Sequence, residues 1–228
     1  FDSALVEYQA RRDLSLAYAY IWRVNRVYGA DHPQGIYDSN SHALHATYTG
    51  LPGGTLSAYA YLLEFKGAVV GNSCATYGLS FDGQRTLGRF DIGYHAEYAL
   101  QTDYGNSPLF FSANYLAGEL NAGLDRYALG VGYELQGTDN NFAFRTPLGS
   151  LHNFNGWADV FLLTPAQGLR DTYGKVSARL PWWEIGLLGY YHQFSTDTGL
   201  DLGSEIDLQA TYQISESLGA TVKYASFR

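Results

Sequence analysis

Apolar and polar residues alternate with a period of two along most of the chain. In 88–103 one parity holds Phe90, Ile92, Tyr94, Ala96, Tyr98 and Leu100, and the other holds Arg89, Asp91, His95, Glu97, Gln101 and Asp103. Successive side chains of a strand point to opposite faces, so this segment has one apolar and one ionisable face. Segment 13–25 sets Leu14, Leu16, Tyr18, Tyr20, Trp22 and Val24 against Asp13, Ser15, Ala17, Ala19, Arg23 and Asn25, with Ile21 the exception. Segments 126–136 and 204–214 repeat the alternation. About twelve strands are predicted, near 3–11, 13–28, 41–50, 54–66, 73–82, 86–104, 108–120, 124–137, 169–180, 183–195, 203–214 and 217–227.

Strand length narrows the class. The alternation in 88–103 and 126–136 spans 16 and 11 residues, against about 5–6 for a globular strand and roughly 9–11 for a tilted membrane-crossing strand. Tight turns are expected at Arg12-Asp13, Leu51-Pro52-Gly53-Gly54, Asp82-Gly83, Asn121-Ala122-Gly123 and Ser215-Glu216. Longer connections are expected at 29–40, 67–72, 138–168 and 196–202, while a short one at 105–107 breaks the alternation of short and long.

Composition supports a membrane strand protein. The 228 residues are 46% apolar and 16% aromatic but only 16% charged, where about 25% charge is usual. Tyr and Trp suit a face that passes from hydrocarbon to headgroup. Small residues and charges suit the opposite face as a wet lumen. The net charge of −8, with no basic block, argues against nucleic acid as a partner. A single cysteine excludes a disulfide framework. No apolar run approaches the roughly 18 residues of a transmembrane helix. The expected fold is therefore all-β, an antiparallel transmembrane β-barrel forming one domain over 1–228, in the bacterial outer membrane. A soluble β-sheet protein is the alternative.

Outer-membrane barrels place short turns in the periplasm and long loops outside. With this loop order the first strand runs inward from outside and the twelfth ends outside, the reverse of a complete barrel. An odd number of missing strands before Phe1 and after Arg228 repairs the parity; separately, the absence of methionine implies a chain that is processed or excerpted. The expectation is an excerpt of a longer barrel, with a self-contained twelve-stranded barrel as the alternative.

The stretch Thr146-Pro147-Leu148-Gly149-Ser150-Leu151-His152-Asn153-Phe154-Asn155-Gly156-Trp157-Ala158-Asp159, with Phe161-Leu162 and Thr164-Pro165, resembles the signature of the alginate-export porin family. Arg26-Val27-Tyr28-Gly29, Thr76-Tyr77-Gly78-Leu79, Glu97-Tyr98-Ala99, Tyr191-His192-Gln193-Phe194 and Lys223-Tyr224-Ala225 stand in the order that family uses. The resemblance implies an outer-membrane barrel of eighteen strands, with five before this chain and one after it. Passage of an oligo- or polysaccharide is what it implies for cargo.

The polar parity places Glu7, Arg11, Arg23, Arg89, Asp91, His95, Glu97, Asp103, Arg126, Glu134, Asp171, Lys175, Arg179, Glu184, Glu205, Asp207 and Lys223 in the lumen. Of these, Arg11, Arg23, Arg89, Asp91, His95, Glu97, Arg126, Glu134, Lys175, Arg179, Glu205 and Asp207 are the candidate substrate path. One reading is a wall of braced salt bridges; the other is an arginine ladder matched to carboxylate cargo. The 138–168 segment caps the mouth or enters the lumen, because irregular backbone in hydrocarbon leaves amides unpaired. Phe144, His152, Phe154, Trp157 and Asp159 are its candidate constriction residues.

No catalytic constellation stands out. Ser150 and His152 lack an orienting third group, so an enzyme is not expected. His42 and His45 fall on opposite faces of one strand. No cofactor is implied; Asp197, Asp201 and Glu205 offer the oxygen ligands Ca²⁺ takes, without the spacing of an established calcium loop. A solvated acidic loop is the alternative there. The expected partners are the lipid bilayer, lipopolysaccharide and a small-solute or saccharide cargo, with the oligomeric state open. The expected function is a passive porin for small polar or anionic solutes. The alternative is a non-conducting barrel that binds or anchors a partner protein or polymer.

Overall fold

The computed structural model describes residues 1–32, 35–149, 155–181 and 183–228. Twelve strands hydrogen-bond in sequence order into one sheet: β1 (Asp2–Arg11), β2 (Leu14–Asn25), β3 (Ile36–Tyr48), β4 (Gly54–Leu63), β5 (Cys74–Leu87), β6 (Phe90–Asp103), β7 (Ser112–Leu124), β8 (Tyr127–Gln136), β11 (Leu169–Leu180), β12 (Ile185–Ser195), β13 (Asp201–Ser215) and β14 (Leu218–Phe227). A separate two-stranded hairpin, β9 (Thr138–Asp139) with β10 (Phe142–Ala143), stands between β8 and β11. The twelve strands run from 10 to 15 residues, long enough to cross a bilayer at a tilt. No helix among the described residues is long and apolar enough to cross one.

Several expected boundaries move. The tight turns expected at Asp82-Gly83 and Asn121-Ala122-Gly123 lie inside β5 and β7. The turns fall instead at Gly88-Arg89 and Asp125-Arg126, where Gly88 and Asp125 take the positive φ a tight turn needs. Strand β3 begins at Ile36 rather than 41, because Tyr37, Ser39 and Ser41 already alternate inward and are buried. Strand β7 begins at Ser112 rather than 108: Ser107 N–H closes a turn onto the Tyr104 carbonyl at 3.2 Å, and Phe111 N–H donates to Asp103 Oδ1 at 3.3 Å. The connection after β6 is therefore 104–111, and long connections follow every even-numbered strand up to β8 without exception.

The chain divides into two compact units, 1–82 with 97–115, and 83–96 with 116–228. In the first, β1 to β4 pair antiparallel, with Val6 opposite Tyr18, Leu16 opposite Ala46 and His45 opposite Tyr59. One face buries Tyr37, Ser39, Ser41 and Phe65, with the Tyr37 and Phe65 rings edge-on at 5.7 Å. The other face exposes Val6, Tyr8, Leu44, Tyr77 and Leu79. In the second unit Gly130 faces Lys175, His192 faces Glu205 and Gln209 faces Lys223. Its outer face presents Tyr127, Leu129, Val131, Val176, Leu208, Val222 and Tyr224. The exposed aliphatic and aromatic residues of β8, β13 and β14 thus lie on a face that lacks protein cover. Exposed apolar surface costs about 25 cal/mol per Å² in water and next to nothing in lipid, so the sequence alternation is that of a membrane wall.

Candidate functional site

The inner face of the second unit is built around glycines. A Cβ on Gly132 would lie 2.1 Å from Cζ of Tyr173, and one on Gly130 would lie 2.7 Å from Cε of Lys175. Both β11 side chains therefore lie flat across β8 and reach Glu119 on β7. Tyr173 donates its hydroxyl to Glu119 Oε2 at 2.6 Å, and Lys175 Nζ donates to Oε1 at 2.7 Å. The first unit repeats the construction. A Cβ on Gly78 of β5 would lie 2.1 Å from Cζ of Tyr59, whose hydroxyl crosses from β4 to donate to Glu97 on β6.

Further along β11 to β13 lies a buried ionisable cluster. Asp171, Glu205 and Asp207 are 1% exposed or less, and His192 is 6% exposed. His192 Nδ1 sits 2.9 Å from Asp171 Oδ2, and its Nε2 faces Asp207 Oδ2 at 3.7 Å. The Tyr173, Tyr190 and Phe194 rings surround the imidazole, with Phe194 parallel to it at 5.6 Å. The long connection returns to the wall here. Trp157 N–H donates to Asp207 Oδ2 at 3.2 Å and Ala158 N–H to Glu205 Oε1 at 2.7 Å. Trp157 also stands edge-on to Tyr190 and takes Lys223 Nζ over its ring at 4.7 Å. Phe161 packs on Phe194 and Phe227.

The basic residues of the expected path lie elsewhere, and in ion pairs. Arg89 pairs with Asp125 at 3.1 Å. Arg126 and Arg179 share Glu184, at 3.2 and 3.8 Å. These three arginines sit at or beside the tight turns of the second unit, so they form a rim at one end of the strands rather than a ladder along the wall. Asp91, beside the same end, accepts from Thr86 Oγ1 at 2.7 Å. Arg11 pairs with Asp13 at 3.0 Å. Arg23 departs from its expected face: the register slips between Ile21 and Arg23, so Ile21 faces Ser41 while Arg23 faces Asp38. The bulge at Trp22 turns Val24 inward, where it is buried, and puts Arg23 beside Asp38 and Asp2 on the opposite face. His95 and Glu97 share the parity of Asp91 on β6, and Glu134 accepts from Gln136 Nε2 at 3.4 Å.

Of the loop residues, Phe144 is buried, Asp159 holds a left-handed backbone (φ 55°), and Trp157 reaches the wall. Ser150, His152 and Phe154 lie outside the described residues. The three carboxylates considered for Ca²⁺ do not converge. Asp197 pairs with Arg170, Asp201 accepts from Gly203 N–H, and Glu205 holds Ala158. Among the described residues no three His, Cys, Asp or Glu are placed to hold a metal ion. His42 stacks with Tyr18 and bonds its hydroxyl, while His45 bonds Thr47 on the other face.

Glu119, Tyr59 and Tyr173 were not singled out by the sequence, and His192 stood there only inside the stretch Tyr191-His192-Gln193-Phe194, with no role of its own. Glu119 shares a parity with Ala117 and Asn121, and that alternation could have found it. His192 stands between Tyr190 and Phe194 on an aromatic inward face, where polar parity gives no signal.

A two-faced antiparallel wall with long strands, an uncovered apolar face and a polar inner face covered by a folded-in loop defines the fold of bacterial outer-membrane porins. Comparison with solved structures bears this out. The chain is similar to OccAB4 of Acinetobacter baumannii (12% identity, 98% of this chain and 59% of that one, TM-score 0.74). It is similar also to two Pseudomonas aeruginosa proteins: OccK3 (OpdO), at 16% identity over 99% of this chain and 64% of that one (TM-score 0.76), and the outer-membrane protein OpdK, at 15% over 98% and 63% (TM-score 0.75). OpdK is also known in a structure with vanillate. The chain spans less than two thirds of the length of each of these proteins. No family model and no curated protein matches it.

These neighbours correct the likeness to alginate-export porins, since they are porins of the OccK and Opd type. The reason is physical. Thr76-Tyr77-Gly78-Leu79 alternates because Tyr77 and Leu79 face outward while Gly78 leaves room for Tyr59. Any barrel wall asks for such a pattern, so short strand motifs report the fold and not the family.

Proposed function

We propose that the chain forms the wall of an outer-membrane channel that passes small polar or anionic solutes passively down their gradient. The observation that carries the reading is the opposition of the two faces of the second unit. Tyr127, Leu129 and Val131 are exposed outward on β8, while Glu119, Lys175, Tyr173 and the loop-covered cluster occupy the other side. Solutes of the size of a single aromatic carboxylate fit the reading best, as the vanillate-bound OpdK structure supports. Nothing in the comparisons supports a saccharide polymer as cargo. Arg126, Arg179 and Arg89 would meet an anion at the tight-turn rim, where guanidinium matches carboxylate geometry. That the wall belongs to a single eighteen-stranded barrel is part of the same proposal; β1 and β14 each have one hydrogen-bonded neighbour, and the similar proteins are longer chains.

The chemistry of the buried histidine favours passage over catalysis. Both ring nitrogens of His192 face carboxylates, so neither is aimed at a nucleophilic hydroxyl. The test is single-channel conductance of the full-length protein in planar bilayers, with reversal potentials under a salt gradient. The reading predicts steady unitary currents, and an anion preference that falls in Arg126→Ala and Arg179→Ala. Absence of conductance from folded protein would overturn it in favour of a barrel that anchors a partner.

A further inference from the structure

The long connection meets the wall through its backbone, at one point where two buried carboxylates stand side by side on one face of β13. Glu205 and Asp207 are both fully buried. A carboxylate taken out of water needs donors, and here the donors are the consecutive main-chain N–H groups of Ala158 and Trp157. The turn that presents them is specialised. Asn155 (φ 59°) and Gly156 (φ 85°) are both left-handed, which swings the following amides toward the wall. Gly156 is constrained twice over. Its φ disfavours any side chain, and a Cβ would lie 2.6 Å from the Glu205 carboxyl carbon, which has no room to retreat.

Two further oxygens, Glu205 Oε2 and Asp207 Oδ1, are buried without a protein partner, as is Asn155 Oδ1. A purely structural strap would not need such a cost, since an apolar contact at the same place holds a loop more cheaply. Side chains add contacts beside these bonds: Trp157 within the turn on Tyr190 and Lys223, and Phe161 beyond it on Phe194 and Phe227. The two main-chain bonds hold the tip to β13, while Thr164, Ala166 and Gln167 tie the far end of the arm to Gln136, Thr138 and Asp197.

We propose that Glu205 and Asp207 are the catch, and Asn155–Ala158 the tongue, of a releasable latch that seats the 155–168 arm against the wall and thereby sets the bore. The proposal deepens the channel reading and rests on it only for the effect on current. The catch is supported from behind: His192 faces Asp207, Asp171 holds His192, and Lys223 steadies Trp157 from β14. Because the two amides bind carboxylates and not one another, the tongue can leave the wall without unfolding any strand.

The test uses the full-length protein folded in lipid vesicles and planar bilayers, with Gly156→Ala and the pair Glu205→Gln with Asp207→Asn. Hydrogen–deuterium exchange over residues 155–161 reads the latch, and unitary conductance reads the bore. At least a tenfold faster exchange at Trp157 and Ala158, with at least a twofold rise in conductance or new larger substates, is the expected result in both variants. Heat-modifiable gel mobility reports barrel folding; should the paired variant not fold, Gly156→Ala, which lies outside the strands, decides. Unchanged exchange in folded variants would overturn the latch. Faster exchange with unchanged current would overturn its control of the bore. Faster exchange in a protein that never conducts would leave the latch standing and defeat the channel reading, so the two failures are distinguishable.

Discussion

Two places on the wall solve the same problem with different neighbours. In the first unit Tyr59 crosses Gly78 to reach Glu97, and in the second Tyr173 crosses Gly132 to reach Glu119. The residue two further along the strand differs. In the first unit it is Tyr61, stacked on Tyr59 with ring centroids 4.8 Å apart. In the second it is Lys175, bonded to the same carboxylate as Tyr173. One crossing is braced by an aromatic ring and the other by charge. The glycine makes either possible, since a side chain there would occupy the tyrosine ring's place. Both crossings tie strands that are not hydrogen-bonded neighbours, β4 to β6 and β7 to β11, across the one between them.

The glycines should show the largest effects. Gly132→Ala and Gly78→Ala force the tyrosine off the wall, and unfolding in urea from vesicles should show losses of about 1–3 kcal/mol each, the usual cost of overpacking. Gly174→Ala and Gly118→Ala are the controls. Their added methyls meet nothing nearer than 4.0 and 3.9 Å, and both should be close to neutral. Equal losses at all four sites would remove space-making as the role of Gly78 and Gly132.

Lys175→Met separates the two braces. It strips Glu119 of its cation while keeping most of the stem volume, and should cost about 1.5–3 kcal/mol, as for a hydrogen bond to a charged group. Tyr61→Leu removes a stacked ring with no such charge and should cost about 0.5–1.5 kcal/mol. A Lys175→Met variant as stable as wild type would show that the second crossing is held by the tyrosine alone.

Smallest of all should be Arg126→Ala. Its pair with Glu184 is about half exposed on both sides, and exposed pairs contribute about 0–1 kcal/mol. Its stability should be unchanged within error by the same urea assay, while its anion preference falls. A large loss of stability there would make the rim arginines structural.

Alternation made most of the wall legible, because the register shifts outside β2 fall near strand ends, at Gln9/Arg11 of β1 and at Leu202 and Gln213/Ser215 of β13. The exception, the bulge at Trp22, follows from no local residue pattern; Ile21 on the polar parity was its one trace, and Arg23 was misplaced because of it. The start of β3 was lost for a related reason: Asp38, Ser39, Asn40 and Ser41 read as a polar loop, yet Ser39 and Ser41 are buried and bond each other at 2.6 Å. The site was legible as parity and not as partnership. Alternation put Glu205 and Asp207 together on one face of β13, and both are buried there. That they hold main-chain amides of a segment some fifty residues earlier in the chain is a fact of loop return, which the strand period does not encode. The glycines at 78 and 132 carried a signal in their pairing with tyrosines on neighbouring strands, visible only once register was known.

The central claim is that one face of this sheet meets lipid and the other water. Spin labels placed singly along 127–136 in a Cys74→Ser background, in protein folded into vesicles, measure it residue by residue. Accessibility to oxygen should peak at 127, 129 and 131, and accessibility to a water-soluble nickel chelate at the intervening positions, with a period of two. Uniform access to the nickel reagent along β8, or no periodicity at all, would contradict the account.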